Sequence, residues 1–348
     1  MKSNSVFVIA EAGSNWRMGT PERDLKMAKT LIDIASKSGA DAVKFQTYRS
    51  KTVYVPNAGT VDYLSKRGIK ESITKIFDDL SMPYEMIPVL AKYCKSKKIE
   101  FMSTPFSIDD AKAIDPYVRR HKLASSEITH SRLIEFLAKT KKPLIISTGA
   151  ANLTDIEWAI NHFYSHGGKK LYLLQTTMKY PASLESLNLS AITHLKNKFN
   201  LPVGFSDHSE DPVIGPIVAV TLGAEIIEKH FTLNKHLPGP DNSFALEPNQ
   251  LKNMIAAIHN AQKCFGKNKK IVLKEEKYYQ NFSQRSLQCI KPIKKGEIFN
   301  EGKNFDILRS GLQKKGLHPK FIDEIEGKKS TRNIPLGDGI MIDDYEKI

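Results

Sequence analysis

Cysteine is scarce, with only Cys94, Cys264 and Cys289 in 348 residues. Their number is odd and their spacing fits neither a metal nor a redox motif, so reduced thiols are expected rather than a disulfide framework. Long apolar runs are absent, and nothing approaches the ~20 residues that span a bilayer. Met1-Lys2-Ser3 leads into a strand-like segment without the apolar core and cleavage site of a signal peptide. A cytoplasmic protein without a membrane partner is expected. Nucleotide fingerprints are missing too, with no G-x-x-x-x-G-K-[ST] and no G-x-G-x-x-G. Acidic residues are the minority, 38 against 52 Lys and Arg, giving a net charge of +14. That excess suits either nucleic acid or an acidic small substrate. The lysines are spread over every helix-like segment and no basic stripe is interleaved with aromatics, so no nucleic-acid partner is expected.

What is present is a repeating pattern. The hydrophobic fraction of 41% and charged fraction of 26% are those of a globular protein. Short apolar runs read as strands at 6–12, 41–48, 100–106, 120–125, 143–149 and 171–177. Two more end in Ser206-Asp207-His208 and in Glu228-Lys229-His230. Amphipathic segments at 21–38, 84–97, 109–114, 133–140, 152–164, 213–222 and 248–264 read as helices. Eight strand–helix units predict an α/β fold, either a (β/α)8 TIM barrel or a doubly wound open sheet. Polar residues decide between them. Glu11, Lys44, Gln46, Ser103, Thr104, Lys122, Ser125, Glu127, Ser147, Thr148, Tyr180, Ser206, His208, Glu228 and His230 all fall at or just past carboxyl ends of strands. An open sheet gathers ligand contacts at one switch point, whereas a ring of polar strand ends is what a barrel needs.

The predicted barrel covers 1–266 and a charged linker covers 267–282. From 283 to 348 short strand-like pieces alternate with turns, and I-K-P-I-K-K-G (290–296) is echoed by R-N-I-P-L-G (332–337). This weak repeat predicts a small, mostly β second domain.

Lys44 and Lys122, amid the hydroxyls of Thr104, Ser125, Ser147 and Ser206, suit a small polyanion such as a phosphate ester with a carboxylate. The alternative is that the lysines pair only with acids such as Glu11 and Glu127. His208 and His230, without thiolates nearby, suit a labile divalent ion with positions open to substrate and water, though strand-end histidines are also common as rim residues. Glu127 and Glu11 are candidates for proton transfer or for positioning water. Asp241, in P-G-P-D (238–241), is either a ligand to a substrate hydroxyl or a turn cap.

The chain resembles the sialic acid (N-acetylneuraminate) synthase family, the nonulosonic acid synthases. I-A-E-A-G-S-N (9–15), V-K-F-Q-T (43–47), F-M-S-T-P-F (101–106), H-K-L-A-S-S-E (121–127) and I-I-S-T-G (145–149) carry the resemblance. Y-P (180–181), G-F-S-D-H-S (204–209), E-K-H-F-T (228–232) and P-G-P-D continue it. R-S-L (285–287) and the two repeat copies resemble the antifreeze-like (SAF) domain that follows the barrel in this family. The resemblance implies a domain-swapped homodimer that condenses phosphoenolpyruvate with the open-chain aldehyde of an N-acylated amino sugar. It places Mn²⁺ or Mg²⁺ on His208 and His230, water handling on Glu127, and Glu11 near the metal. Phosphoenolpyruvate falls to Lys44, Gln46, Thr104, Lys122, Ser125, Ser147 and Ser206, and the sugar to Tyr180 and Asp241. Arg309, in I-L-R-S-G, would reach the sugar's acyl group from the partner chain.

Departures lie on the sugar side. Trp16 replaces a histidine, Ser126 a glycine and Met178 a small or amide residue, and the segment 54–82 is long. Trp16 and that segment are therefore expected to shape the acceptor pocket. A phosphorylated sugar is the alternative acceptor. A non-catalytic carbohydrate-binding relative should have lost the lysine or histidine positions, and this chain keeps them.

Overall fold

Six of the barrel strands carry an apolar residue on the inward face first and a polar one two positions later, and that change creates the site. The computed structural model describes residues 5–60, 72–267 and 269–347. Its strands are β1 (Phe7–Gly13), β2 (Ala42–Thr47), β3 (Glu100–Pro105), β4 (His121–Leu123), β5 (Leu144–Ser147), β6 (Leu171–Thr176), β7 (Val203–Asp207) and β8 (Ile226–His230). They form one parallel sheet in the order β3-β2-β1-β8-β7-β6-β5-β4, with β3 and β4 side by side at the seam. This is the (β/α)8 barrel. Ile9, Ala42, Met102, Ile145, Leu174 and Ile226 fill its interior. Side chains alternate across a strand, so the next inward positions are Glu11, Lys44, Thr104, Ser147, Thr176 and Glu228.

The helices are α1 (Pro21–Ser38), α2 (Ser50–Val53), α3 (Ile73–Asp79), α4 (Met86–Ser96), α5 (Ile108–Ile114), α6 (Ser131–Lys139), α7 (Leu153–Ser165), α8 (Ala191–Phe199), α9 (Ile214–Thr221) and α10 (Pro248–Cys264). Their ends are written locally. Thr20 caps α1, Pro21 starts it, and Gly39 ends it at φ +89°, where a side chain would be strained. Capping boxes open α7 through Asn152 and Asp155, and α10 through Glu247 and Gln250. The helices bury Leu31, Leu90, Ile134, Phe163 and Ile255 against the outward faces of the strands. No helix among the described residues is long and apolar enough to cross a membrane. The three cysteines are unpaired, Cys94 and Cys289 buried and Cys264 exposed.

The chain divides into two compact units, Met1–Gly266 and Lys267–Ile348. In the second, α11 (Lys277–Ser283) stands within the stretch expected to be a plain linker. Beyond it β9 (Arg285–Cys289) pairs antiparallel with β10 (Phe305–Arg309), and α12 (Ile322–Ile325) follows. The two repeat copies pair with one another through an antiparallel bridge between Ile293 and Ile334. Leu287, Ile293, Phe299, Phe305, Ile334 and Ile340 form a separate small core.

Candidate active site

Strand register lines up the charged groups. Glu11 on β1 sits beside Lys44 on β2 and beside His230 on β8, and Ser206 on β7 sits beside Glu228 on β8. A cavity of about 540 Å³ opens at these carboxyl ends. That lies within the roughly 300–1,000 Å³ of small-molecule sites. Glu11, Lys44, Gln46, Thr104, Lys122 and Ser125 all line it. So do Glu127, Ser147, Tyr180, Ser206, His208, His230 and Asp241. The barrel thus brings these candidates together.

At its floor lies a buried lattice of two cations and two carboxylates. The Lys44 ammonium is 2.6 Å from Glu11 Oε2 and 3.7 Å from Glu228 Oε2, and donates to Thr104 Oγ1 at 3.0 Å. Lys122 donates to Ser147 Oγ at 2.7 Å and lies 3.8 Å from Glu228 Oε1, which also accepts from Ser206 Oγ. Burial pushes the Glu11 carboxyl up to about 7, with Lys44 opposing and Glu228 reinforcing the rise. Glu228 is different. Burial raises it, but Lys122 and Lys44 together outweigh that and hold it ionised. Burial lowers Lys44 less than Glu11 and Glu228 raise it, so it stays charged. Burial brings Lys122 down to about 8. A proton on Glu11 leaves two ammonium groups facing one carboxylate, a cradle with net positive charge for an anion.

The resemblance implies a divalent ion, and the two histidines fit one. Burial lowers His208 to about 4 and His230 well below the usual imidazole value, so both are neutral and able to donate a lone pair. His208 Nδ1–H donates to the Thr177 carbonyl at 2.8 Å, which leaves its Nε2 lone pair for a metal. The ring centroids of His208 and His230 are 5.6 Å apart, and Tyr180 stacks on His208 at 4.2 Å. His230 Nδ1 is buried without a hydrogen-bond partner, with Asp241 Oδ2 3.7 Å away. On the outward face of the same strands Lys229 pairs with Asp207 at 2.6 Å and donates to the Ser209 carbonyl, tying down the loop that carries His208.

Glu127 ends a helical turn, Ser125–Glu127, just after β4; burial raises its carboxyl against a hydrogen bond from Ser126. Ser125 Oγ accepts from the Gly149 N–H at 3.0 Å. Gln46 donates to Glu11 Oε1 at 3.0 Å. Two strand-end hydroxyls are structural instead, since Ser103 bonds Thr47 and Thr148 donates to the Leu174 carbonyl.

Trp16 does not shape the pocket. It is 1% exposed and packed in the main core, because Gly13 at φ +51° turns the chain away after β1. Gly13 is required there, since a side chain would come within 3.1 Å of Asp241. Met178 and Ser126 do line the cavity, as do Tyr54, Ile73, Ile76, Phe77 and Leu80 from the long segment. Within that segment D-Y-L-S-K-R-G-I (62–69) lies outside the described residues. Arg309 is exposed at the end of β10 in the second unit. The sequence reading gave Glu228 no role, although it faces both lysines. The signal was its place two residues before His230, hence on the same inward face.

The chain matches the NeuB family over residues 31–270. It is 36% identical to a pseudaminic acid synthase of Campylobacter jejuni, covering 98% of this chain and 96% of that one. It is 38% identical to an N,N'-diacetyllegionaminic acid synthase of the same species, covering 94% of this chain and 96% of that one. The crystal structure of the spore coat polysaccharide biosynthesis protein SpsE of Bacillus subtilis superposes with a TM-score of 0.64 at 36% identity, covering 100% of this chain and 97% of that one. The chain therefore belongs to the NeuB family of nonulosonic acid synthases.

Proposed function

We propose that this chain condenses phosphoenolpyruvate with the aldehyde of an N-acylated amino sugar, releasing phosphate and a nonulosonic acid. The observation that carries the reading is the buried pair Lys44 and Lys122 beside two neutral histidines at one end of a single cavity. The lysines, with Gln46, Thr104, Ser125, Ser147 and Ser206, hold the phosphate and carboxylate of phosphoenolpyruvate. His208 and His230 would hold Mn²⁺ or Mg²⁺, which when bound supplies Lewis-acid polarisation of the acceptor's carbonyl. Carbon 3 of phosphoenolpyruvate bonds to the aldehyde carbon, whose oxygen becomes a hydroxyl. Glu11, whose carboxyl burial raises, is the group assigned to pass a proton to that oxygen. Glu127 takes the proton from the water that adds at carbon 2. The resulting tetrahedral carbon expels phosphate as its C–O bond breaks, leaving a ketone.

Tyr180 and Asp241 are assigned to the sugar. Val53, Ile73, Ile76, Phe77, Leu80 and Phe106 give the described part of the cavity an apolar wall. Such a wall suits the methyl groups of N-acyl substituents better than a second phosphate. Phosphate release from phosphoenolpyruvate and Mn²⁺, measured across a panel of N-acylated aldoses with and without a terminal phosphate, tests the reading. Release with at least one unphosphorylated N-acyl sugar is expected; release with none, or only with sugar phosphates, refutes it.

Two further results are expected. Lys122 is ammonium below about 8 and neutral above it. With phosphoenolpyruvate needing the cation, kcat/KM for it falls as pH rises through about 8, by ~tenfold per pH unit above it. A profile flat to pH 10 would remove Lys122 from the anion cradle. Arg309 is assigned to the acyl group of a sugar bound in the partner's barrel within a domain-swapped dimer. Arg309→Ala should raise KM for the sugar roughly tenfold or more, as for loss of a charge-assisted hydrogen bond, while that for phosphoenolpyruvate stays near wild type. Equal rises in both would argue against the contact.

A further inference from the structure

Away from the barrel mouth, Glu135 on α6 meets His162 on α7 and His166 at the end of that helix. The two histidines are four residues apart and so share one helical face. Glu135 Oε1 is 3.4 Å from His162 Nε2 and 3.8 Å from His166 Nε2, and the three ligand atoms all lie within 4.8 Å of one another. In a tetrahedral zinc site with bonds of about 2.0–2.1 Å, neighbouring ligand atoms are about 3.4 Å apart. The two carboxylate–imidazole spacings are therefore close to those of such a site.

We propose that Glu135, His162 and His166 form a second metal site for a borderline divalent ion of the zinc class, with water as fourth ligand, separate from His208 and His230. His166 Nδ1 hydrogen-bonds the His162 carbonyl at 2.8 Å, which leaves Nε2 as the lone-pair nitrogen facing Glu135. Trp158 stacks on the His162 ring, with centroids 4.9 Å apart and 15° between planes, and restrains its rotation. The side chains are 18% (His162), 34% (His166) and 15% (Glu135) exposed, so an ion can reach them without unfolding. Two groups compete with a metal. Arg132 touches both Glu135 oxygens, at 3.2 and 3.0 Å, and His162 Nε2 lies 3.3 Å from the Ser131 carbonyl. Arg132 is itself 74% exposed, so its hold is weak and is given up readily to a doubly charged ion. Two imidazoles suit zinc, nickel or copper better than magnesium. Joining neighbouring helices of the barrel's outer layer, the site would fasten α6 to α7.

Untagged, chelator-stripped full-length His208→Ala/His230→Ala protein isolates the site from the barrel mouth. Titration with Co²⁺ should give one equivalent of a tetrahedral visible spectrum that Zn²⁺ displaces. His162→Ala/His166→Ala and Glu135→Gln, added separately to that background, should each weaken Zn²⁺ binding on the order of 100-fold. Made in the wild-type chain, the same changes should leave Mn²⁺-supported phosphate release near normal. No saturable Co²⁺ or Zn²⁺ binding in the isolating background overturns the proposal. So does binding that survives both ligand substitutions.

Discussion

His230→Ala loses phosphate release by roughly 10³-fold, the equivalent of several kcal/mol of transition-state stabilisation from a Lewis acid. His230 is neutral, buried and 5.6 Å, ring to ring, from the equally neutral His208, which is why both are proposed as ligands. His208→Ala should give the same loss. Wild-type enzyme stripped of metal should fall to a comparable level and recover with Mn²⁺, whereas neither variant recovers at the same concentration. Full activity in chelated wild type would end the metal's role. The variants should stay folded, because the ion pair between Lys229 and Asp207 on the outer face of the same strands is untouched.

Glu127→Gln separates binding from turnover. Glu127 lies beyond the lysine cradle, and burial raises its carboxyl, as befits a group that gains and loses a proton during the cycle. Loss of general-base assistance costs about 10²–10⁴ in kcat. Phosphoenolpyruvate affinity, set by Lys44, Lys122 and the hydroxyls, should change little. A near-normal rate would refute the water step. A large loss of phosphoenolpyruvate affinity would move Glu127 into the cradle instead.

The barrel was legible because its punctuation is local. Helix α1 covers 21–38 as the sequence predicts, with Thr20 and Gly39 at its ends, and the polar strand ends mark which face of the barrel is active. Helix α8 was not visible. It buries only Ile192 and Leu195 amid polar residues, too few for a 3.6-residue period to stand out. α3 sits in a charged excursion whose apolar positions make sense only once they face the cavity. Trp16 misled for a related reason. An aromatic residue in an active-site loop reads as pocket lining, and only the turn at Gly13 sends it to the core. The placing of Glu228 between two lysines depends on β8 standing across the barrel from β4, a distance no sequence window spans. Glu135 and the two histidines likewise meet only because α6 and α7 are neighbours.

The central claim is that phosphoenolpyruvate gives up phosphate by C–O rather than P–O cleavage while its carbon 3 joins an amino-sugar aldehyde. Phosphoenolpyruvate labelled with ¹⁸O in the bridging position distinguishes the two. With Mn²⁺ and an active N-acylated aldose, the account predicts that the label appears in inorganic phosphate and is absent from the ketone of the product. Label retained in the nonulosonic acid, with unlabelled phosphate released, would contradict it.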